Sequence, residues 1–228
     1  MLPTSFRIYS KLLALTKGPR NWGNYLIPVL LALLLTGCQT NQASPGSLLF
    51  QDDFAKTSSG WLVGQDSDGL VAYDGGGIRI FVKQPGAARL TVPSLRFTDV
   101  HIEVDTIKLT GPDDNNFGLV CRYQNESNFY FFEISSDGYY TIGKYIDGVM
   151  SLIGMTQMQS HNAIHQGGAI NHLRVDCSGS RLVFYVNGEK LAEVEDNEIK
   201  SGDVGLIAGA IKTAGTDILF DNFSVLQP

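Results

Sequence analysis

From Leu48 onward, apolar positions recur at every second residue, in short runs broken by Gly, Asn and Asp. A period of two belongs to a strand with one buried face, and no stretch keeps a helical period long enough to form a helix. The pattern predicts strands at Leu48–Phe54, Gly77–Val82, Val100–Leu109, Asn116–Tyr123, Asn128–Ser135, Tyr139–Tyr145, His172–Cys177, Arg181–Asn187, Lys190–Glu195, Val204–Ala208 and Asp217–Leu226. Within Arg181–Asn187 the alternation assigns Leu182, Phe184 and Val186 to the core. Within Asn128–Ser135 it separates Tyr130, Phe132 and Ile134 from Phe129, Phe131, Glu133 and Ser135. Ser136-Asp137-Gly138, Asp147-Gly148 and Asn187-Gly188 supply residues that tolerate positive φ, so they read as hairpin turns. Many short strands at regular spacing close most simply as a two-sheet antiparallel sandwich, an all-β domain.

Upstream the pattern changes. The first 24 residues are basic, the run Tyr25–Thr36 is almost wholly apolar, and Gly37-Cys38 follows at once. This is a secretory signal layout, and a run of about 12 residues is short of the roughly 20 that a membrane-spanning helix needs. The tetrad Leu35-Thr36-Gly37-Cys38 resembles the bacterial lipobox. That resemblance implies diacylglyceryl transfer to the Cys38 thiol and cleavage before it. The expected organisation is a signal peptide over 1–37, a lipidated Cys38 with a polar tether over 38–46, and one folded domain over 47–228. The expected partner is the lipid bilayer, held through acylated Cys38, and the expected location is the extracytoplasmic side of the cell membrane.

Charge excludes one class of partner. The four cations of residues 1–37 are unaccompanied by any acid, so the remainder is more acidic than the whole-chain net charge of -6. An acidic body without a basic, aromatic-studded stripe repels phosphate backbones, and no nucleic-acid partner is expected. Apart from Cys38 the chain has Cys121 and Cys177, each in phase with core residues of its strand: Phe117, Leu119 and Tyr123 beside the first, Leu173 and Val175 beside the second. In an exported protein these two are expected to pair, the other reading being two separate buried thiols.

Several stretches carry a resemblance. Phe50-Gln51-Asp52-Asp53-Phe54 with Ser59-Gly60-Trp61, the run Asp113 to Tyr123, Asn128-Phe129-Tyr130-Phe131, Leu182 to Gly188, and the closing Leu219-Phe220-Asp221-Asn222-Phe223 resemble the concanavalin A-like jelly rolls. Within these, the chain is most similar to laminin G-like and 3-keto-disaccharide hydrolase-like domains. The resemblance spans Leu48 to Gln227 and implies a jelly-roll sandwich. It says little about activity, because this fold hosts lectins, adhesive modules and hydrolases alike.

Three constellations could carry chemistry. Glu103 and Asp105 share a strand face, and they resemble the first two acids of the E-x-D-x-x-E strand of jelly-roll β-glucan hydrolases. Lys108 stands where that family has its third acid, so no catalytic residue is assigned. Aromatic residues crowd the span from 123 to 145; with Phe131 and Glu133 on one face, Arg122, Glu103 and Asp105 beside them would form a sugar-binding groove, rings stacking on pyranose faces while charges hold hydroxyls. The turn Gly111-Pro112-Asp113-Asp114-Asn115-Asn116 is rich in the hard oxygens calcium takes, and equally rich in ordinary turn formers. Calcium is therefore the one cofactor considered, and no metal ligands are assigned; His161 and His165 lack a third ligand nearby. The expected function is ligand binding, to carbohydrate or another surface ligand, without catalysis. The alternatives are a glycoside-active hydrolase of the 3-keto-disaccharide type and a structural or adhesive surface protein.

Overall fold

The computed structural model describes residues 44–228. Sixteen strands follow in order: β1 (Leu48–Asp52), β2 (Gly64–Gln65), β3 (Gly69–Asp74), β4 (Gly77–Val82), β5 (Ala88–Thr91), β6 (Val100–Thr110), β7 (Asn115–Asn125), β8 (Asn128–Ile134), β9 (Tyr139–Ile146), β10 (Val149–Leu152), β11 (Gln159–Ser160), β12 (Asn171–Ser178), β13 (Arg181–Val186), β14 (Glu189–Glu195), β15 (Asp203–Ala210) and β16 (Thr216–Leu226). They form two antiparallel sheets. One has nine strands, in the order β14-β13-β12-β6-β16-β4-β3-β2 with β1 also on β16; the other has seven, in the order β10-β9-β8-β7-β15-β5 with β11 on β9. The strand order, with sequence-distant neighbours such as β6 and β16, is that of a jelly-roll sandwich.

The core lies between the sheets and is built by alternation. Ile102 and Val104 of β6, Leu173 and Val175 of β12 and Phe184 of β13 face Leu119 of β7, Tyr130 and Phe132 of β8 and Leu206 of β15, all fully buried. Cys121 and Cys177 come from opposite sheets and are joined by a disulfide, as their phase predicted. Asp147-Gly148 and Asn187-Gly188 have positive φ at both positions, the geometry of a two-residue hairpin.

The sequence stretches shared with the jelly rolls acquire physical roles. Asp52 accepts hydrogen bonds from the Phe54 amide (2.8 Å) and the Trp61 indole (2.9 Å). The Trp61 ring packs edge-on against Phe54 at 5.4 Å and Phe223 at 5.0 Å. Phe223 reaches this cluster because a bulge at Asp221/Ser224 shifts the register of β16, so Phe220 and Phe223 both face inward. Asn187 donates to the Ala163 carbonyl (2.7 Å) while its side-chain oxygen accepts the His172 amide (2.9 Å), pinning the hairpin to the 160s loop.

Candidate functional site

The outer face of the seven-stranded sheet carries an apolar patch of its own. Val120, Phe129, Phe131 and Ile207 form a second buried cluster there, with Leu90, Tyr123, Tyr145 and Leu152 packed against it. Register explains the grouping. Phe129 lies opposite Tyr145, Phe131 opposite Gly143, and Glu133 opposite both Gly118 and Thr141. Phe129 and Tyr145 stack at 4.8 Å. A Cβ on Gly143 would overlap the Phe131 ring, and one on Gly209 would overlap the Asn116 carboxamide, so both strands approach as glycine permits.

Two adjoining pockets are recessed into this face. The larger, about 640 Å³, is lined by Tyr123, Phe129 and Tyr145, by Arg89 and Glu126, and by the exposed Leu62. Arg89 forms an ion pair with Asp66 at its rim. The smaller, about 340 Å³, shares Tyr145 and Ile207 with the first and adds Phe131, Glu133, Met150 and Met158. Glu133 is 5% exposed and accepts a 2.8 Å hydrogen bond from the Asn116 carboxamide. Burial lifts its pKa to about 7, the Asn116 bond opposing the rise only in part. Burial also raises the Tyr145 phenol, and the nearby Glu133 charge raises it further.

The model of the 3-keto-alpha-glucoside-1,2-lyase-like domain matches residues 48–226. The chain belongs to this family. Among solved structures, the family fold seen here is similar to a carbohydrate-binding module, CBM66 from Bacillus subtilis (TM-score 0.60, 18% identity, 74% of this chain and 96% of that one). It is similar too to a protein of unknown function with a galectin-like fold from Bacillus subtilis (TM-score 0.61, 13% identity, 81% and 97%). A third is the GH43 BlXynB protein from Bacillus licheniformis (TM-score 0.58, 15% identity, 78% of this chain), of which the match spans 39%. A search of curated proteins returned no match.

Of the five residues expected to share one groove, the lyase-like domain brings only Phe131 and Glu133 together. Glu103 and Asp105 lie on β6 in the other sheet: Glu103 bonds His101 (2.7 Å), while Asp105 bonds His172 (2.8 Å) and Asn222 (2.9 Å). Arg122 leaves the groove for a different reason. The ladder on either side of it slips register and its φ is 52°, so the side chain turns into the end of the sandwich. There it is 2% exposed and donates to the carbonyls of Thr98, Ile199 and Gly179 and to Asp99. The same slip moves Tyr123, expected in the core, onto the groove face.

The side chains of the oxygen-rich turn have partners within the protein. Lys108 pairs with Asp113, Lys212 with Asp114 at 3.4 Å, and the Asn115 side-chain oxygen accepts the Ser136 amide at 3.0 Å. His161 Nδ1 accepts the Ala163 amide, whereas His165 Nδ1 meets the Ile170 carbonyl. Among the described residues no cluster of three metal-ligating side chains occurs. Cys38, with the expected signal peptide and most of the expected tether, lies outside the described residues.

Much of the groove wall carries no sequence signal. Tyr145 belongs to the aromatic-rich span from 123 to 145 and Asn116 lies where the oxygen-rich turn meets its strand, and neither pattern marks them as wall. Arg89, Met150 and Met158 sit on β5, β10 and an irregular loop that show no clear alternation. A usable signal existed in the outward-facing glycines 118, 143 and 209, which leave room among larger neighbours.

Proposed function

We propose that this protein is a membrane-anchored lipoprotein whose domain binds carbohydrate, without catalysis, in the groove on the seven-stranded sheet. The observation that carries the reading is the Phe129–Tyr145 stack beside the buried Glu133–Asn116 pair: ring surface for a pyranose face, and oriented polar groups for its hydroxyls. Family membership and the likeness to a carbohydrate-binding module support it. The anchoring half rests on the Leu35-Thr36-Gly37-Cys38 tetrad. The test is a glycan array probed with the protein and with Tyr145→Ala; saccharide binding that the substitution weakens by about 1 to 3 kcal/mol is expected, and binding indifferent to it would displace the groove from the role. In cells, Cys38→Ser should release the protein from the membrane fraction, and retained lipid labelling would overturn the anchor.

A second reading, a glycoside-active enzyme of the 3-keto-disaccharide type, draws on one specific observation. A carboxyl whose pKa is about 7, on the wall of a pocket, is poised to exchange protons near neutrality. Turnover of a 3-keto-glucoside that Glu133→Gln abolishes would establish it over the binding reading.

A further inference from the structure

Five carboxylates are buried among the described residues: Asp52, Glu133, Asp176, Asp203 and Asp217. Four of them have donors suited to an anion. Asp52 accepts a backbone amide and the Trp61 indole, Asp203 the amides of Leu95 and Val204, Asp176 the guanidinium of Arg174 and Asp217 that of Arg79. Glu133 accepts one bond, from the neutral Asn116. An anion taken out of water without a counter-charge costs several kcal/mol, and here the single Asn116 bond offsets that cost only in part.

The wall around Glu133 has the chemistry of a cation site. Glu133 is the one charged side chain lining the smaller pocket; Phe131 and Tyr145 present rings, Met150 and Met158 thioethers, and Met150 is 53% exposed at the mouth. Aromatic faces attract ammonium groups through their quadrupoles, and soft thioether walls accept methylated or weakly hydrated cations without demanding donors. Arg89, which would compete for the carboxylate, lines the larger pocket and is paired with Asp66. A neutral hydroxyl would bring a dipole where a full charge is missing, and an acidic sugar would be repelled.

We propose that the smaller pocket takes the ammonium group of an amino sugar, with Glu133 as its counter-ion and Phe131 and Tyr145 as its ring walls. The proposal rests on the carbohydrate-binding reading and adds the class of saccharide. The pyranose lies toward the larger pocket, across the shared Tyr145, and its amine enters the smaller one.

The test uses the full-length protein in detergent and titration calorimetry with three tetrasaccharides of one backbone: the free glucosamine form, its N-acetylated counterpart and its N-trimethylated counterpart. The glucosamine form should bind at least about tenfold more tightly than the N-acetylated form at pH 7, and in Glu133→Gln that ratio should fall toward one. If the variant does not fold, proton release from the wild type decides. The trimethylated form is charged at every pH, so its capture should drive Glu133 to the carboxylate and release up to about half a proton per site at pH 7. Tyr145 is the other titratable group on the pocket wall and stays neutral at that pH. Equal affinity for amine and acetamide, with no proton release, overturns the ammonium site and leaves carbohydrate binding standing. Binding of tetramethylammonium but of no saccharide overturns the carbohydrate reading and the amino-sugar assignment with it.

Discussion

Arg122 and Glu133 are both charged and both buried, but one is fully engaged and the other is not. Arg122 donates to three carbonyls and Asp99, so removing it strands several buried acceptors at once. Arg122→Ala is expected to cost at least about 2 kcal/mol in chemical denaturation while leaving the groove intact. Glu133 behaves in the opposite sense. Its folded pKa, about 7, exceeds the ordinary 4.5, so below pH 4.5 the group is neutral in both states and costs nothing. As pH rises past 4.5 the unfolded chain ionises while the fold holds its proton, and stability falls until the fold ionises too, above pH 7. Glu133→Gln escapes that penalty. Between pH 4 and pH 8 its stability should improve relative to the parent by up to about 3 kcal/mol, read from urea melts at the two values; an unchanged difference would show that Glu133 is solvated. Neither role was legible in the sequence. Alternation placed Glu133 on the groove face, yet its depth follows from Tyr145 and the β10 side chains covering it. For Arg122, alternation gave the wrong face because a bulge has no signature in a run such as Leu119-Val120-Cys121-Arg122-Tyr123.

At the level of strands, the readable ones were those with a buried face and a recognisable turn. Gly77–Val82 was placed to the residue, and the β8–β9 hairpin followed from its Asp137-Gly138 turn. The strands that escaped, β2, β3, β5, β10 and β11, are short or lie toward sheet edges, where pairing is set by neighbours rather than by a pattern within the strand. Two of them matter, since β5 and β10 flank the groove. Its floor depends on strand-to-strand fit as well. Because the Phe131 ring occupies the space a Cβ at Gly143 would need, Gly143→Val should lift that ring, costing about 1 to 3 kcal/mol of stability and weakening ligand binding together. Binding lost without any loss of stability would mean the ring has an alternative seat.

For the whole molecule, the two-sheet architecture is legible in the many short, evenly spaced strands, and the Cys121–Cys177 pairing in the phase of each cysteine with core residues of its strand together with the expected export of the chain. The stacking of sheets gave no such signal for which outer face would be hollow. Replacing both cysteines by alanine should lower stability by about 2 to 4 kcal/mol in equilibrium denaturation, a smaller loss being expected if the unfolded chain keeps residual structure.

That bond also fixes what a cut in the chain can do. The 56-residue separation between Cys121 and Cys177 encloses β8 to β11 entirely, with Phe129, Phe131, Glu133, Tyr145, Met150 and Met158. A single break at the exposed end of the 160s loop, such as an engineered protease site between Gly168 and Ala169, divides the polypeptide but sheds nothing. The two fragments should run as one species on a non-reducing gel and separate only with thiol, and the groove should go on capturing ligand until the reductant is added. Covalently, the aromatic and acidic part of the binding surface is an arc of a closed ring, and a ring cut once is still a single piece.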